Sequence, residues 1–219
     1  MRPLAILGGT FDPIHLGHLL IAQAAMNQLK LDRVIWIPTR RPPHKEGSAY
    51  EHRCGMVEKA IANNSAFVLN TVDTEGTRPD YAIETLTHLK EAYPNRQWYW
   101  IIGVDAFQTL PRWYHCERLA PACEWLVAPR TVSVAATTAL FPNSNSDQEQ
   151  MDTQMSSLCQ QVAGQLAEQN IPLRWQLLQM PLVGISSSLI RQYCRQGHSI
   201  RYLVPEEVRA YIILHNLYF

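Results

Sequence analysis

Leu4-Ala5-Ile6-Leu7-Gly8-Gly9-Thr10-Phe11-Asp12-Pro13-Ile14-His15-Leu16-Gly17-His18 is the stretch from which the fold can be read. Four consecutive apolar residues running into two glycines have the pattern of a strand buried on both faces. Pro13 marks a turn. From about 17 to 30, apolar side chains recur at helical spacing, at Leu20, Ala24, Ala25 and Leu29. Val34-Ile35-Trp36-Ile37 is a second apolar run, stopped by Pro38. Strand, helix and strand within 37 residues make a βαβ unit, which implies a parallel sheet and a right-handed crossover.

The alternation continues outward. Residues 51–63 read as helix, Phe67-Val68-Leu69 as strand and 81–92 as helix, with Leu86 and Leu89 on one side. Trp98-Tyr99-Trp100-Ile101-Ile102, ending at Gly103, is the most strand-like run, with Trp98 and Trp100 on one face of it. Glu124-Trp125-Leu126-Val127-Ala128 is another strand, closed by Pro129. This predicts an α/β fold with a doubly wound parallel sheet, in which ligands sit beyond the carboxyl ends of the strands. Fourteen of the 27 residues 131–157 are Ser, Thr, Asn or Gln, so a polar loop or insertion is expected there. A modest amphipathic helix (Leu158, Val162, Leu166) and a strand around 173–180 follow. A C-terminal helical segment spans about 186–219; its last helix has Val208, Tyr211, Ile212 and His215 along one side. The whole of 1–219 reads as a single domain.

Composition narrows the function classes. Nineteen Lys+Arg balance 19 Asp+Glu, which argues against general nucleic-acid binding, since such proteins carry a basic excess. No apolar run approaches the ~18–20 residues of a membrane span, and the N-terminal stretch does not read as a secretory signal. Five dispersed cysteines without a C-x-x-C pair predict reduced thiols rather than disulfides or a zinc site. A soluble cytoplasmic protein, a monomer or homo-oligomer, is expected.

Two segments carry chemistry. In the first, Gly8 and Gly9 permit a tight turn and close backbone approach, and a helix N-terminus favours an anion. His15 and His18 share one face of that helix, while Gly17 leaves space where a side chain would block a phosphate. Asp12 reads as a turn-shaping residue. Neither G-x-G-x-x-G nor a Walker loop is present. The second is Gly184-Ile185-Ser186-Ser187-Ser188-Leu189-Ile190-Arg191, where Ser186 or Ser187 is a natural helix cap. Its free amides, hydroxyls and Arg191 also suit an oligophosphate. Two anion-suited helix starts suggest one triphosphate bridged between them.

With these residues in view, GGTFDPIHLGH followed by ISSSLIR resembles the H-x-G-H nucleotidyltransferase superfamily. Within it, the chain is most similar to the bacterial nicotinate-mononucleotide adenylyltransferases. The stretches that carry this are Ile37-Pro38 with Pro42-Pro43-His44-Lys45, Tyr81-x-x-x-Thr85-Leu86, Ile101-Ile102-Gly103-Val104-Asp105 and Leu110-Pro111-Arg112-Trp113. The resemblance covers the chain except roughly 131–170.

It implies a Rossmann-like nucleotidyltransferase fold and transfer of AMP from ATP to nicotinate mononucleotide, releasing pyrophosphate and deamido-NAD. The implied catalytic residues are His15, His18 and Arg191. His15 and His18 would hold the α-phosphate with the Gly9 and Thr10 amides; an ordinary imidazole titrates near pH ~6.5, so a phosphate can recruit its charged form. Ser186, Ser187 and Arg191 would hold the leaving pyrophosphate. Gly8, Phe11, Gly17 and Ile185 complete the implied ATP site. Gly103 and Asp105 would contact the adenosine, although Asp105 equally suits a helix cap. His44, Lys45, Tyr81, Thr85 and Trp113 are the implied mononucleotide contacts. Trp113 could equally be packing, and His44 and Lys45 a solvated surface. Mg²⁺ would arrive with the ATP phosphates rather than in a protein cage.

Two departures touch the acceptor side: Asp80-Tyr81-Ala82 where the family commonly has Ser-Tyr-Thr, and Pro129-Arg130-Thr131 where it often has Arg-Pro-Gly. The alternatives are the amide mononucleotide as main or equal acceptor, another transferase of this superfamily, and a non-catalytic nucleotide sensor. Phosphopantetheine enzymes lack the Trp113 segment. Cytidylyl enzymes approach the second motif through R-T-x-G-[IV]-S-[ST], where this chain has Leu182-Val183-Gly184.

Overall fold

The protein's structure, a computed structural model, describes residues 2–40, 47–71, 81–129, 145–181 and 183–219, with backbone alone at 145–152. β1 (Leu4–Gly9), α1 (Leu16–Leu29) and β2 (Arg33–Pro38) form the expected βαβ unit. They are followed by α2 (Tyr50–Ile61), β3 (Phe67–Leu69), α3 (Ala82–Ala92) and β4 (Trp98–Gly103). The short helices α4 (Val104–Phe107) and α5 (Cys116–Leu119) lead to β5 (Glu124–Ala128). Last come α6 (Asn145–Ala167), β6 (Trp175–Leu177), α7 (Ser187–Arg195) and α8 (Glu206–Leu214).

The six strands pair in parallel in the order β3-β2-β1-β4-β5-β6. The chain winds from β1 out to β3, returns to the centre at β4, and winds out the other way. The doubly wound α/β fold is therefore as expected. Leu7 of β1 lies level with Trp36 on one side and Ile101 on the other.

Side chains of the central strands alternate between two cores, which is why these strands read as unbroken apolar runs. Ala5, Leu7, Val34, Trp36, Tyr99 and Ile101 face one core, together with Ala22 and Ala25 of α1, Met56 of α2 and Val208 and Ile212 of α8. Leu4, Ile6, Ile35, Trp98, Trp100 and Trp125 face the other, with Leu86 of α3 and Leu166 of α6. All five cysteines are free thiols, four of them buried.

Two expectations about elements are corrected. The polar loop expected over 131–157 is helical from Asn145 onward; residues 130–144 lie outside the described residues. Spacing overrides composition there, because Met155, Cys159, Val162 and Leu166 recur every three or four residues and are all buried in the second core. Leu158, expected on that face, is only partly buried. The strand expected around 173–180 is the three-residue edge strand β6. His215, expected along one side of the last helix with Tyr211, is the C-cap of α8, its ring centroid 4.2 Å from that of Tyr211 and 5.0 Å from that of His52 in α2.

Candidate active site

β1 and β4 are the strands between which the winding reverses, and their carboxyl ends open into a cleft of about 720 Å³. Ligands in open α/β sheets bind at this position because neighbouring connections diverge to opposite faces.

At the end of β1 the chain turns sharply. Phe11 has φ +51° and is buried. A Cβ on Gly9 would come within 3.0 Å of the Phe11 ring, so a glycine there makes room for that ring. His15 sits at the N-cap of α1 and donates its backbone N–H to Nδ1 of His18 at 3.2 Å. The two imidazoles stack with centroids 3.7 Å apart and planes at 24°. Phe11 meets the His18 ring edge-on at 5.1 Å. His15 is buried and His18 is partly exposed. A Cβ on Gly17 would lie 3.0 Å from the His15 ring, so its smallness also makes room for that histidine.

The second motif opens α7 beside the first. Ser186 is the N-cap, its hydroxyl oxygen accepting the Leu189 N–H at 3.2 Å. Ser187 donates its hydroxyl to the Pro13 carbonyl at 2.9 Å. Arg191 donates to the Asp12 carbonyl at 2.7 Å and to the Ser188 hydroxyl oxygen at 3.3 Å. The two motifs are thus fastened to each other through the Asp12–Pro13 main chain. Because the Ser187 proton is already given to Pro13, what this residue can offer a phosphate is its main-chain amide.

Of the sequence-derived candidates, Gly8, Gly9, Thr10, Phe11, His15, Gly17 and His18 line the cleft. Gly103, Ile185, Ser186, Ser187 and Arg191 line it as well. So do Tyr81, Thr85 and Trp113 from the acceptor set. Asp105 does not; it is exposed in the first turn of α4, next to the lining residue Ala106. His44 and Lys45 lie outside the described residues. Nothing crowds a Cβ on Gly103 within 4 Å, so its backbone borders open space in the cleft.

Trp113 is held by its indole N–H, which donates to the Thr109 hydroxyl at 2.9 Å. It contacts Trp100 and Trp125 edge-on, at 6.4 and 6.1 Å between centroids. Tyr81 stacks on Tyr114 at 4.0 Å. Tyr114 gave no signal in the sequence. Arg53 was missed too, although it falls on the buried stripe of α2 with Met56 and Val57. Its guanidinium donates to the carbonyls of Thr10, Thr39, Arg40 and Ser48 at 2.7–3.1 Å, tying the β1–α1 turn to the turn after β2.

Among the described residues no three His, Cys, Asp or Glu side chains converge as a metal site, and none of the helices is long and apolar enough to cross a membrane.

Sheet order, cleft and paired motifs define a nucleotide-transferring protein of the doubly wound class. The chain belongs to the cytidylyltransferase-like family, whose profile matches residues 6–193. Among its relatives, a Trichormus variabilis protein named probable nicotinate-nucleotide adenylyltransferase is 50% identical over 218 residues, covering 100% of this chain and 98% of the relative. A Gloeobacter violaceus protein of the same name is 35% identical, with 98% and 95% covered. A solved structure of Plasmodium falciparum nicotinic acid mononucleotide adenylyltransferase complexed with NaAD matches with TM-score 0.73 at 20% identity, over 100% of this chain and 98% of that one. At that identity it establishes the shared fold.

Proposed function

We infer that this chain is an enzyme that transfers AMP from ATP to the 5′-phosphate of nicotinate mononucleotide, giving deamido-NAD and pyrophosphate in NAD biosynthesis. The observation that carries the reading is the fastening of the two motifs at the β1–β4 switch point. It brings the stacked His15 and His18 rings and Arg191 to the lining of one cleft. Full-length relatives at up to 50% identity support it.

In this reaction an oxygen of the mononucleotide phosphate attacks the α-phosphorus of ATP as the bond to the bridging β-phosphate oxygen breaks. Positioning and charge stabilisation suffice for such a displacement, without a covalent nucleophile. Donors aimed at the oxygens where charge grows act most strongly in a shielded cleft. His18, whose Nδ1 accepts a backbone N–H, carries its hydrogen on Nε2, and that group serves the α-phosphate together with His15. The amides at the start of α7 and the Arg191 guanidinium hold the β- and γ-phosphates and the departing pyrophosphate. Adenosine lies over Gly103, with Asp105 reaching the ribose. The pyridine ring stacks on Trp113, with Tyr81 and Thr85 near its substituent. Mg²⁺ enters as part of the MgATP substrate; the carboxylate of Asp12, at the junction of the two motifs, is already engaged by Ser48 and Tyr218. The proposed place of action is the cytoplasm.

Pyrophosphate release by the purified protein with MgATP tests this, with nicotinate mononucleotide, nicotinamide mononucleotide and phosphopantetheine as acceptors. A strong preference for the nicotinate form is expected. Equal use of both pyridine nucleotides retires the specificity while keeping the reaction, and no turnover with any acceptor overturns the reading.

A further inference from the structure

After α8 the chain turns back toward the cleft. The N–H groups of Asn216 and Leu217 close the turn on the carbonyls of Ile213 and Ile212, at 3.2 and 3.0 Å. Tyr218 follows with φ +71°, a left-handed backbone that bulky side chains rarely adopt and that costs free energy unless its surroundings compensate. Its ring packs against the first core, and its hydroxyl donates to Oδ1 of Asp12 at 2.6 Å, 206 positions away in sequence.

Asp12 is 5% exposed and sits at the junction of the two phosphate-facing motifs. Its carboxylate also accepts the Ser48 N–H, at 3.3 and 3.4 Å to its two oxygens. It presses so closely on the neighbouring chain that a Cβ on Gly47 would lie 2.5 Å from Oδ2. The Asp12 carbonyl receives Arg191, and the next carbonyl, that of Pro13, receives Ser187. A carboxylate held by the Ser48 N–H and the Tyr218 hydroxyl therefore anchors the peptide on which the triphosphate-facing groups are hung.

We propose that Tyr218 is a positioning residue for the triphosphate end of the cleft, its hydroxyl holding the Asp12 carboxylate so that the Asp12–Pro13 main chain presents Arg191 and Ser187 in register with His15. The hydroxyl is suited to this. Burial, and then the bond to Asp12, push its pKa well above the ordinary phenol range, so it stays a donor throughout the working pH range. A charge-assisted hydrogen bond inside a shielded site is stronger than a neutral one, and removing the donor leaves a buried carboxylate short of a partner.

The proposal rests on the reading of this cleft as an ATP site, and its test separates the two. Tyr218→Phe deletes one oxygen and keeps the ring. Equilibrium binding of MgATP, measured by calorimetry without any acceptor, is expected to weaken about ten-fold. KM for ATP should rise with it, while KM for the mononucleotide stays within about two-fold of wild type. In an Asp12→Ala background, where the hydroxyl has lost its acceptor, Tyr218→Phe should cost less than about two-fold, because the two groups act as a pair. Tyr218→4-aminophenylalanine, which restores an N–H donor, should recover binding to within about three-fold of wild type; this variant also decides the question if Tyr218→Phe does not fold. MgATP affinity unchanged in Tyr218→Phe, a full ten-fold cost in the Asp12→Ala background, or no recovery with the amine overturns the proposal. If the wild-type protein binds MgATP but turns over no acceptor, the functional reading fails while the binding arm still judges Tyr218.

Discussion

His18 can offer a substrate only one ring nitrogen. Nδ1 accepts the His15 N–H, so the neutral ring carries its hydrogen on Nε2, and full protonation would set two N–H groups against each other. The ring is held by stacking on His15 and by the edge of Phe11, so little rotational freedom remains to be lost when a phosphate arrives. Removing one donor of this kind typically costs a reaction about 10²–10³-fold. His18→Ala is therefore expected to lower kcat by about that factor while equilibrium ATP affinity changes less than about three-fold; single-turnover rates beside binding titrations check it. A parallel loss in binding and rate would make His18 a ground-state contact instead. Arg53 illustrates the opposite kind of residue, remote in role though near in space. Its guanidinium satisfies four carbonyls from three stretches of chain. Replacing it with Met leaves those carbonyls short of donors, and unfolding free energy should fall by about 3 kcal/mol in denaturant titrations. Arg53→Lys should rescue little, because an ammonium cannot span the same fork. Full stability in the Lys variant would show that charge, rather than geometry, is what the site needs.

At the scale of elements, period mattered more than composition. β1, β2, β4 and β5 were legible because both faces of each strand are buried, which leaves continuous apolar runs bounded by Gly or Pro. The start of α6 was not, since its first eight residues, 145–152, are Asn, Ser, Asp, Gln or Glu apart from Met151. Only the three- and four-residue steps through Met155, Cys159, Val162 and Leu166 betray the helix. The same contrast divides the site. H-x-G-H and ISSSLIR put informative residue types at fixed short spacing, whereas the fastening of Pro13 to Ser187 or of Asp12 to Arg191 joins positions 174 and 179 apart, and no local pattern encodes it. Arg53 left a faint trace as a charged residue on an apolar stripe; Tyr114 left none. If the α6 stripe holds this helix to the sheet, Leu166→Ala should cost about 3 kcal/mol by the usual cost of a buried leucine truncation. Ser157→Ala, on the exposed side, should cost less than about 0.5 kcal/mol. Equal small effects in chemical denaturation would mean that α6 packs only loosely.

Four of the molecule's five thiols are buried and Cys54 is half-buried, and this sets how its stability responds to pH. Burial pushes Cys123 from 9.0 up to about 12 and Cys159 up to about 11, and also raises Cys54, Cys116 and Cys194. A thiol raised in the folded state keeps its proton after the unfolded chain has released its own, so above pH ~9 the unfolded state binds fewer protons and is favoured. The stability linked to Cys123 is fully present below 9.0 and drains away as pH rises toward about 12. Tyr99 and Tyr218 act in the same direction, since burial, the largest cause for each, raises both phenols. The thermal midpoint should therefore fall steadily from pH 8.5 to about pH 11, in the range where these thiols and phenols ionise on unfolding. The Cys123→Ala/Cys159→Ala double variant should show a shallower fall, because alanine fills much of each site and has nothing to ionise. Thiol labelling supplies an independent reading of the same cause. At pH 8 the half-buried Cys54 should react first and the four buried thiols only on unfolding, since attack requires both access and thiolate. A double variant that loses stability as steeply as wild type would place the alkaline sensitivity elsewhere, in the phenols of Tyr99 and Tyr218. Tyr218 would then link alkaline unfolding to the Asp12 junction of the active cleft, and ATP affinity would be lost over the same pH interval as the fold.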